Sequence, residues 1–410
     1  MTLSRSRLKS ANGGTRTAFG LALLNASLFL PVGLHLPYFP VWLNARGLTA
    51  SEIASVLATP MIVRVVATPL VSHLADKRGA ALMIAVCALV MLSGYCGLVL
   101  AQGFAPIFAV SILVVTAQGI MPSLADALTL GEIQRLEIAG LPAFPYGYIR
   151  VFASAAVLAA MLLSANLVQF FPGEHIVLAL AGLTVPSALI GGFIAAKARK
   201  AAKPHDGKQS GLTANRRSRW LAFLCIGSAA LIHASHVELY SFSTLHWQAE
   251  GLSAALVSLA WSTSIVFEAL FFVASGRFFP NETHAAALLM AGGASATLRW
   301  LLMSLDPVPA LIFVLQAMHG LSFAATAIGS ILLLGSLAGP AHSARMQGWL
   351  SAVIALSMAA STFLCGILTS GYGEKAYLAM AGFAAIGLAL AVGAGFVKAG
   401  AEQDYVGPPT

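Results

Sequence analysis

Long apolar stretches separated by short polar turns recur along the whole chain. An α-helix of about 20 apolar residues crosses the ~30 Å hydrocarbon core of a bilayer. The stretches here have that length and are continuously apolar, whereas barrel strands would alternate over about ten residues. Helices are therefore predicted for all of them. The twelve predicted spans lie near residues 18–43, 51–72, 80–101, 105–128, 145–166, 175–196, 220–246, 254–275, 285–304, 309–331, 346–369 and 375–397.

Composition agrees with a membrane protein. Hydrophobic residues make up 58% of the 410 residues and charged residues only 9%, against about a quarter charged in soluble domains. The net charge of +8 is spread over turns and termini, so no soluble basic face for nucleic acid is expected. The predicted fold class is an all-α membrane protein with twelve transmembrane helices in two six-helix, pseudo-symmetric bundles.

One long hydrophilic segment divides the predicted spans six and six. The expected domains are an N-terminal tail (1–17), a bundle (18–196), a basic linker (197–219), a second bundle (220–397) and a C-terminal tail (398–410). The first apolar run, at about 25 residues, exceeds the 7–15 of a cleaved signal peptide. It is interpreted as a retained span.

The distribution of lysine and arginine predicts the orientation. Cytoplasmic loops are enriched in these residues, and only Arg46 and Lys375 lie between spans on the opposite side if both termini are cytoplasmic. We expect a multi-pass protein of the cell (inner) membrane whose basic side meets anionic lipid headgroups. The basic residues assigned to the cytoplasm outside the linker are Arg5, Arg7, Lys9, Arg16, Lys77, Arg78, Arg135, Arg277, Arg345 and Lys398.

A short segment occurs twice, almost half a chain apart. "NARGLTASE" (44–52) and "QAEGLSAAL" (248–256) each follow the first span of a half, at an offset of 204. Parallel internal repeats of this kind are typical of transporters that bind substrate between two halves. An alternative is a common helix start, with Thr49 or Ser253 as N-cap. At the same offset Arg64 corresponds to Glu268, so the scaffold repeats with the charge inverted.

Four further segments resemble a known family. "SHLADKRGA" (72–80) resembles the loop between spans two and three of the major facilitator superfamily, in Ser72, Asp76, Lys77, Arg78 and Gly79. The resemblance implies a gating latch, although Ser72 replaces the usual leading glycine; the alternative is a plain cytoplasmic turn that carries basic residues. The other segments, "PYGYIRVFASAA" (145–156), "HASHVELYSFSTLHWQAEGLSA" (233–254) and "LQAMHGLSFAA" (315–325), resemble the phenylpropionate-permease branch, a relative of lactose permease and of nucleoside–proton symporters.

Ionisable residues inside spans mark substrate or proton paths by default, because each is costly in lipid. Glu268, Arg299 and His319 lie in consecutive spans, about 15–21 Å from the start of each at 1.5 Å per residue, and are predicted to couple protons. Lactose permease is similar but places a second acid where this chain has Ser322. The proton-carrying acid is therefore expected to be Glu268 or Glu238. A static ion pair that only fixes helix packing is the alternative.

A second group is predicted to bind substrate. Arg64, Asp126 and Arg150 lie in the first half, and an arginine there can hold a carboxylate through two hydrogen bonds. An interfacial salt bridge between Asp126 and Arg150 is the alternative. The remaining candidates are the ring-bearing residues His35, Tyr38, His236 and Tyr240. Trp42, Trp247 and Trp300 are expected in the aromatic belt at the membrane surface.

The sequence thus predicts a secondary transporter that works by alternating access. Proton symport of a small organic solute, best an aromatic carboxylate of the phenylpropionate type, leads over a sugar or nucleoside and over drug efflux. A non-transporting membrane sensor is the alternative from another class. The chain shows no catalytic set, nucleotide-binding loop or metal-ligand spacing, so no enzyme activity, cofactor or metal is expected. Its predicted partners are substrate, protons and lipid but no nucleic acid, and the protein is expected to be a monomer.

Overall fold

The computed structural model describes residues 2–138, 146–171, 173–198, 216–279 and 282–405, and all regular structure in these ranges is helical. Most of the predicted linker, residues 199–215, lies outside them. The α-helices are α1 (Thr2–Ala45), α2 (Ala50–Arg78), α3 (Ala80–Leu100), α4 (Phe104–Ile138), α5 (Tyr146–Phe170), α6 (Ile176–Ala198), α7 (Arg216–Ala234), α8 (Val237–Ala249), α9 (Ala254–Phe278), α10 (Ala285–Met303), α11 (Pro309–Ala317), α12 (Ala325–Tyr372) and α13 (Tyr377–Tyr405).

Eleven helical segments in the described ranges are long and apolar enough to cross a membrane. The segment Met346–Lys398 covers two predicted spans, and it is interrupted at Gly373, whose φ of 55° opens the 3₁₀ turn Gly373–Ala376. With this break the segments agree with twelve crossings. The predicted all-α membrane fold is confirmed.

The helices form two compact units. The first comprises Met1–Leu48 and Val63–His205, and the second Thr49–Ile62 and Asp206–Thr410. In the first unit α1 packs on α5 and α6, and α3 on α4 and α6; in the second, α7 and α10 both pack on α12 and α13. Aliphatic side chains from α7, α10, α12 and α13 form the core of the second unit. The domain boundaries drawn from the sequence stay a prediction.

The repeated segment has the same backbone geometry in both places. Gly47 and Gly251 adopt φ of 79° and 88°, the left-handed conformation that ends many helices. The next residue bonds back in both cases, Leu48 N–H to Leu43 O at 3.2 Å and Leu252 N–H to Trp247 O at 2.8 Å. The copies also begin a helix alike: Thr49 and Glu52 form a capping box, and Ser253 Oγ accepts from the Leu256 N–H. The repeated unit is thus the end of one helix, a turn and the capped start of the next helix.

Three tryptophans do not lie where the sequence suggested. Trp42 and Trp300 are 0% exposed and Trp247 is 2% exposed, so the prediction of a surface belt for them is wrong. The polar edge of Trp300 is satisfied internally, because its Nε1–H donates to Ser235 Oγ at 2.8 Å. An indole with an internal acceptor has no need of the membrane interface.

Candidate functional site

Arg299 is the centre of a buried polar group in the second unit. α10 places its guanidinium in the interior, 0% exposed and 4.5 Å above the Trp300 ring. Nη1 donates to His319 Nδ1 at 3.0 Å and to Ser322 Oγ at 3.4 Å, and Nη2 donates to Gln316 Oε1. Among the described residues no carboxylate forms an ion pair with Arg299, and its Nε lacks a partner. The direct partners of this buried cation are therefore uncharged, provided that His319 is neutral.

The contacts of His319 fix its tautomer. A guanidinium can only donate hydrogen bonds, so Nδ1 accepts from Arg299 and the ring proton of neutral His319 is on Nε2. That nitrogen lies 3.4 Å from Oε2 of Glu268. The carboxylate of Glu268 is partly accessible, at 23% side-chain exposure, whereas His319 is 4% exposed. His319 thus lies between the buried guanidinium of Arg299 and the partly exposed carboxylate of Glu268.

A π-helical turn, Gly320–Ala324, holds His319 against Glu268. A Cβ added at Gly320 would overlap the carbonyl oxygen of Phe267 and lie 3.2 Å from the Glu268 nitrogen. Only glycine lets the tenth predicted span approach α9 this closely. π-turns inside helices often occur at functional sites, and this one brings the acid and the histidine within contact distance.

His236 completes the polar group at the break between α7 and α8. Its Nδ1 lies 2.9 Å from the Ile232 carbonyl, which can only accept, so Nδ1 carries the proton. Nε2 then accepts from Ser322 Oγ at 3.1 Å. Ser322 thus links His236 to Arg299.

Aromatic rings surround this group. Tyr240 is 6.1 Å from Trp261 and 6.3 Å from His319, centroid to centroid. Phe323 stacks on His319 at 5.1 Å, and Trp300 meets His236 edge to face at 5.0 Å. The buried cation is therefore enclosed by flat apolar faces, with Tyr240 and Phe323 partly exposed.

Glu238 lies in a different environment from Glu268. It is 3% exposed, and it accepts from Thr369 Oγ1 at 2.9 and 3.1 Å through its two oxygens. It makes no hydrogen bond or ion pair with Arg299 or His319 in the described part of the chain. The structure thus brings Glu268, but not Glu238, into the Arg299 group.

The predicted substrate residues of the first unit form no comparable cluster. Arg64 is partly buried beside Gly119, where a Cβ would overlap its guanidinium, and it makes no hydrogen bond to any described residue. Asp126 accepts from the Tyr146 hydroxyl at 2.8 Å. Arg150 is in the second turn of α5, and its side chain lies outside the described part. The alternative of an Asp126–Arg150 salt bridge is therefore untested.

The ring-bearing candidates of α1 are packed inside the first unit. His35 Nδ1 lies 3.0 Å from the Tyr95 hydroxyl, and its ring stacks on Phe39 at 4.4 Å. Tyr38 is 0% exposed. These contacts place His35 and Tyr38 in the packing of α1, and a substrate role for them stays a prediction.

The predicted latch is at the junction of α2 and α3. α2 ends at Arg78, and Gly79 turns the chain with φ of 97°. Asp76, Lys77 and Arg78 are exposed, and Ser72 is half-buried. The Asp76 carboxylate caps no helix among the described residues, so its gating role stays a prediction.

Several members of the Arg299 group were not predicted as site residues. Gln316 and Phe323 are three residues before and four residues after His319, positions that share a helix face with it. That spacing was a usable signal. Trp261 and Gly320 carried none, because their roles depend on which helices are neighbours.

Comparison with known proteins gives matches along nearly the whole chain. Residues 26–384 match the model of the MFS_1 like family. The chain is 26% identical over 368 residues to the probable 3-phenylpropionic acid transporter of Escherichia coli (strain K12), which covers 88% of this chain and 93% of that protein.

Solved structures show the same fold. The nucleoside transporter NupG superposes with a TM-score of 0.73 at 18% identity, covering 92% of this chain and 98% of that one. A bacterial homolog to the human lysosomal transporter Spinster superposes with a TM-score of 0.68 at 12% identity, covering 93% and 97%.

Proposed function

The chain belongs to the MFS_1 like family, as its resemblance to major facilitator transporters predicted, and on that premise we propose that it carries an aromatic carboxylate together with a proton. The substrate class follows the relative named as a probable 3-phenylpropionic acid transporter. The proposal is supported by the buried polar group around Arg299 in the second unit.

The observation that carries this proposal is the uncharged shell around Arg299. An arginine in the membrane interior normally pairs with an acid, and removing a charge from water costs several kcal/mol unless it is compensated. Here the contacts are to Gln316, His319 and Ser322. A substrate carboxylate supplies the absent counter-ion, and the rings of Trp261, Tyr240 and Phe323 suit its aromatic part.

We assign Glu268 as the residue that binds the transported proton. Without substrate, ionised Glu268 accepts from His319 Nε2–H and so compensates Arg299 through the imidazole. When a substrate carboxylate compensates Arg299 directly, a second negative charge nearby is unfavourable, and Glu268 takes up a proton. Substrate and proton then favour each other's binding, as linkage requires.

Proteoliposomes containing the full-length protein test the proposal. We expect labelled 3-phenylpropionate to enter together with protons, so that the medium becomes alkaline. The neutral isostere 3-phenylpropionamide should move at least tenfold more slowly, because it offers Arg299 no charge. Glu268→Gln should abolish accumulation driven by a pH gradient but retain exchange of internal for external substrate, which needs no net proton movement.

The matched control is Glu132→Gln. Glu132 is a carboxylate on α4 whose ion pair is with Arg135, one turn away, and its substitution should leave both activities unchanged. Gradient-driven accumulation by Glu268→Gln at the wild-type level would remove Glu268 from the mechanism. Equal transport of the amide and the acid would contradict the role of Arg299. Proton-coupled movement of uridine or a sugar instead of 3-phenylpropionate would replace the substrate class.

A further inference from the structure

A second polar cluster lies at one end of the second unit, where three helix ends meet. His246 and Glu250 lie at the end of α8, Asp306 follows α10, and Glu374 is in the turn Gly373–Ala376. His246 Nε2 is 3.0 Å from Asp306 Oδ1, and Nδ1 is 3.3 Å from Glu374 Oε1. One ligand atom from each of His246, Glu250 and Asp306 lies within 4.8 Å of the others.

This cluster has a deficit of positive charge. Three carboxylates surround one imidazole, and within the described ranges no lysine or arginine forms an ion pair with any of them. Both ring nitrogens face carboxylate oxygens, yet a neutral imidazole has one N–H. Oxygen atoms thus lie against both nitrogens of one ring, an arrangement that a bound cation would compensate.

We propose that His246, Asp306 and Glu250 bind a divalent transition-metal ion of the zinc class. An imidazole with two carboxylates is a donor set that zinc accepts, and three protein ligands leave its fourth position to water. Zinc bonds of about 2.0–2.2 Å place neighbouring ligand atoms roughly 3.3 Å apart in a tetrahedron. The Nε2–Oδ1 separation of 3.0 Å is near that spacing, and a carboxylate oxygen of exposed Glu250 lies within 4.8 Å of both atoms.

Glu374 is the positioning residue of this site. Histidines that bind metals usually donate their other N–H to a carboxylate, which orients the ring and strengthens the ligand. Glu374 is opposite Nδ1, and its side chain is only 12% exposed. It therefore holds the imidazole with Nε2 directed at Asp306, where the ion binds.

Such an ion would join two segments that are distant in sequence, and Glu374 would attach the turn before α13 to them through the imidazole. The ion stabilises the ends of α8, α10 and the turn before α13 in the folded protein only, so its binding raises the unfolding temperature. The inference is independent of the transport proposal, because it concerns binding and stability alone.

Isothermal titration of the purified full-length protein tests it. The protein carries a tag without histidine and is stripped with EDTA before zinc chloride is added. We expect one saturable site per chain and a higher unfolding temperature with zinc. His246→Ala and Asp306→Asn should each weaken zinc binding at least tenfold, and Glu374→Gln should weaken it less while keeping the stoichiometry.

The matched control is His284→Ala, which removes an exposed histidine from the turn Glu282–His284 and should leave zinc binding unchanged. Size-exclusion profiles of the variants check that they remain folded, and exposed Asp306 is the substitution least able to disturb folding. Absence of saturable binding by the wild-type protein overturns the proposal. Equal zinc affinity in wild-type, His246→Ala and Asp306→Asn overturns it as well.

Discussion

At the scale of single residues, the proposed recognition of an anion depends on the uncharged partners of Arg299. Gln316 is 1% exposed; its oxygen accepts from Arg299, while its Nε2 has no partner among the residues that the structure describes. An uncharged acceptor orients the guanidinium without neutralising it. If the proposed function holds, the carboxylate of the substrate neutralises this positive charge.

We expect Gln316→Glu to convert this site into one that supplies its own counter-ion. The new carboxylate would pair with Arg299 and replace an unsatisfied donor, so folding should be preserved. Affinity for 3-phenylpropionate should fall at least tenfold, about 1.4 kcal/mol, because the substrate must displace an internal carboxylate. Quenching of tryptophan fluorescence on titration with the ligand measures this, since Trp261 and Trp300 are in the group.

Gln316→Leu is the comparison for that variant, since it removes the acceptor but adds no charge. It should weaken binding less than Gln316→Glu does. If the two variants bind 3-phenylpropionate equally, the charge of Arg299 is not what the ligand recognises.

At the scale of elements, glycines in corresponding spans of the two halves make room for opposite charges. In the fourth span Gly119 accommodates the side chain of Arg64, and in the tenth Gly320 admits the backbone of α9 next to Glu268. Arg64 and Glu268 are related by the repeat offset. The two contacts differ in kind, because Gly119 meets a guanidinium and Gly320 meets backbone atoms, and the charges of Arg64 and Glu268 are opposite.

Gly320→Ala should disturb the second of these contacts. The added methyl meets backbone atoms of Phe267 and Glu268, which cannot rotate away, so α9 must shift. Overpacking of this kind typically costs 1–3 kcal/mol, and we expect a lower unfolding temperature in detergent together with loss of gradient-driven uptake.

Gly335→Ala is the matched control, because this helical glycine of α12 has open space around its Cβ position. It should retain transport and be as stable as the wild type or slightly more so, as alanine favours helix. A Gly320→Ala protein with unchanged stability and uptake would show that the π-turn tolerates a wider spacing.

At the scale of the whole molecule, the distribution of basic residues predicts which side of the membrane each turn faces. Leu305 is exposed in the turn after α10, and Arg277 is exposed at the end of α9. The excess of basic residues predicts that the first faces outward and the second faces the cytoplasm.

Cysteine labelling in intact cells measures this orientation. In a variant whose four native cysteines are serine, Leu305→Cys should react with a membrane-impermeant maleimide added outside. Arg277→Cys should react only after the cells are opened. The reverse pattern would place both termini outside and contradict the predicted orientation.

The sequence by itself determined the properties that depend on local composition and period. The length of the apolar runs fixed the helical fold, because lipid forces every backbone group to be satisfied within its own segment. The repeat at Gly47 and Gly251 could be recognised in the sequence because a left-handed turn favours glycine. The residues Glu268, Arg299 and His319 were recognised because charged and titratable residues are rare in spans. The structure places all three in one polar group.

Only the tertiary structure decided which groups are partners. In it, Glu238 forms no hydrogen bond or ion pair with Arg299, whereas Gln316 and Ser322 accept hydrogen bonds from the guanidinium, and Trp300 is buried beside it. It also brought His246 to Asp306 and Glu374, residues 60 and 128 positions further along the chain. Such contacts depend on which helix faces pack together, and that depends on small residues such as Gly320 whose effect is spatial. A single sequence records the residue types but not these neighbours.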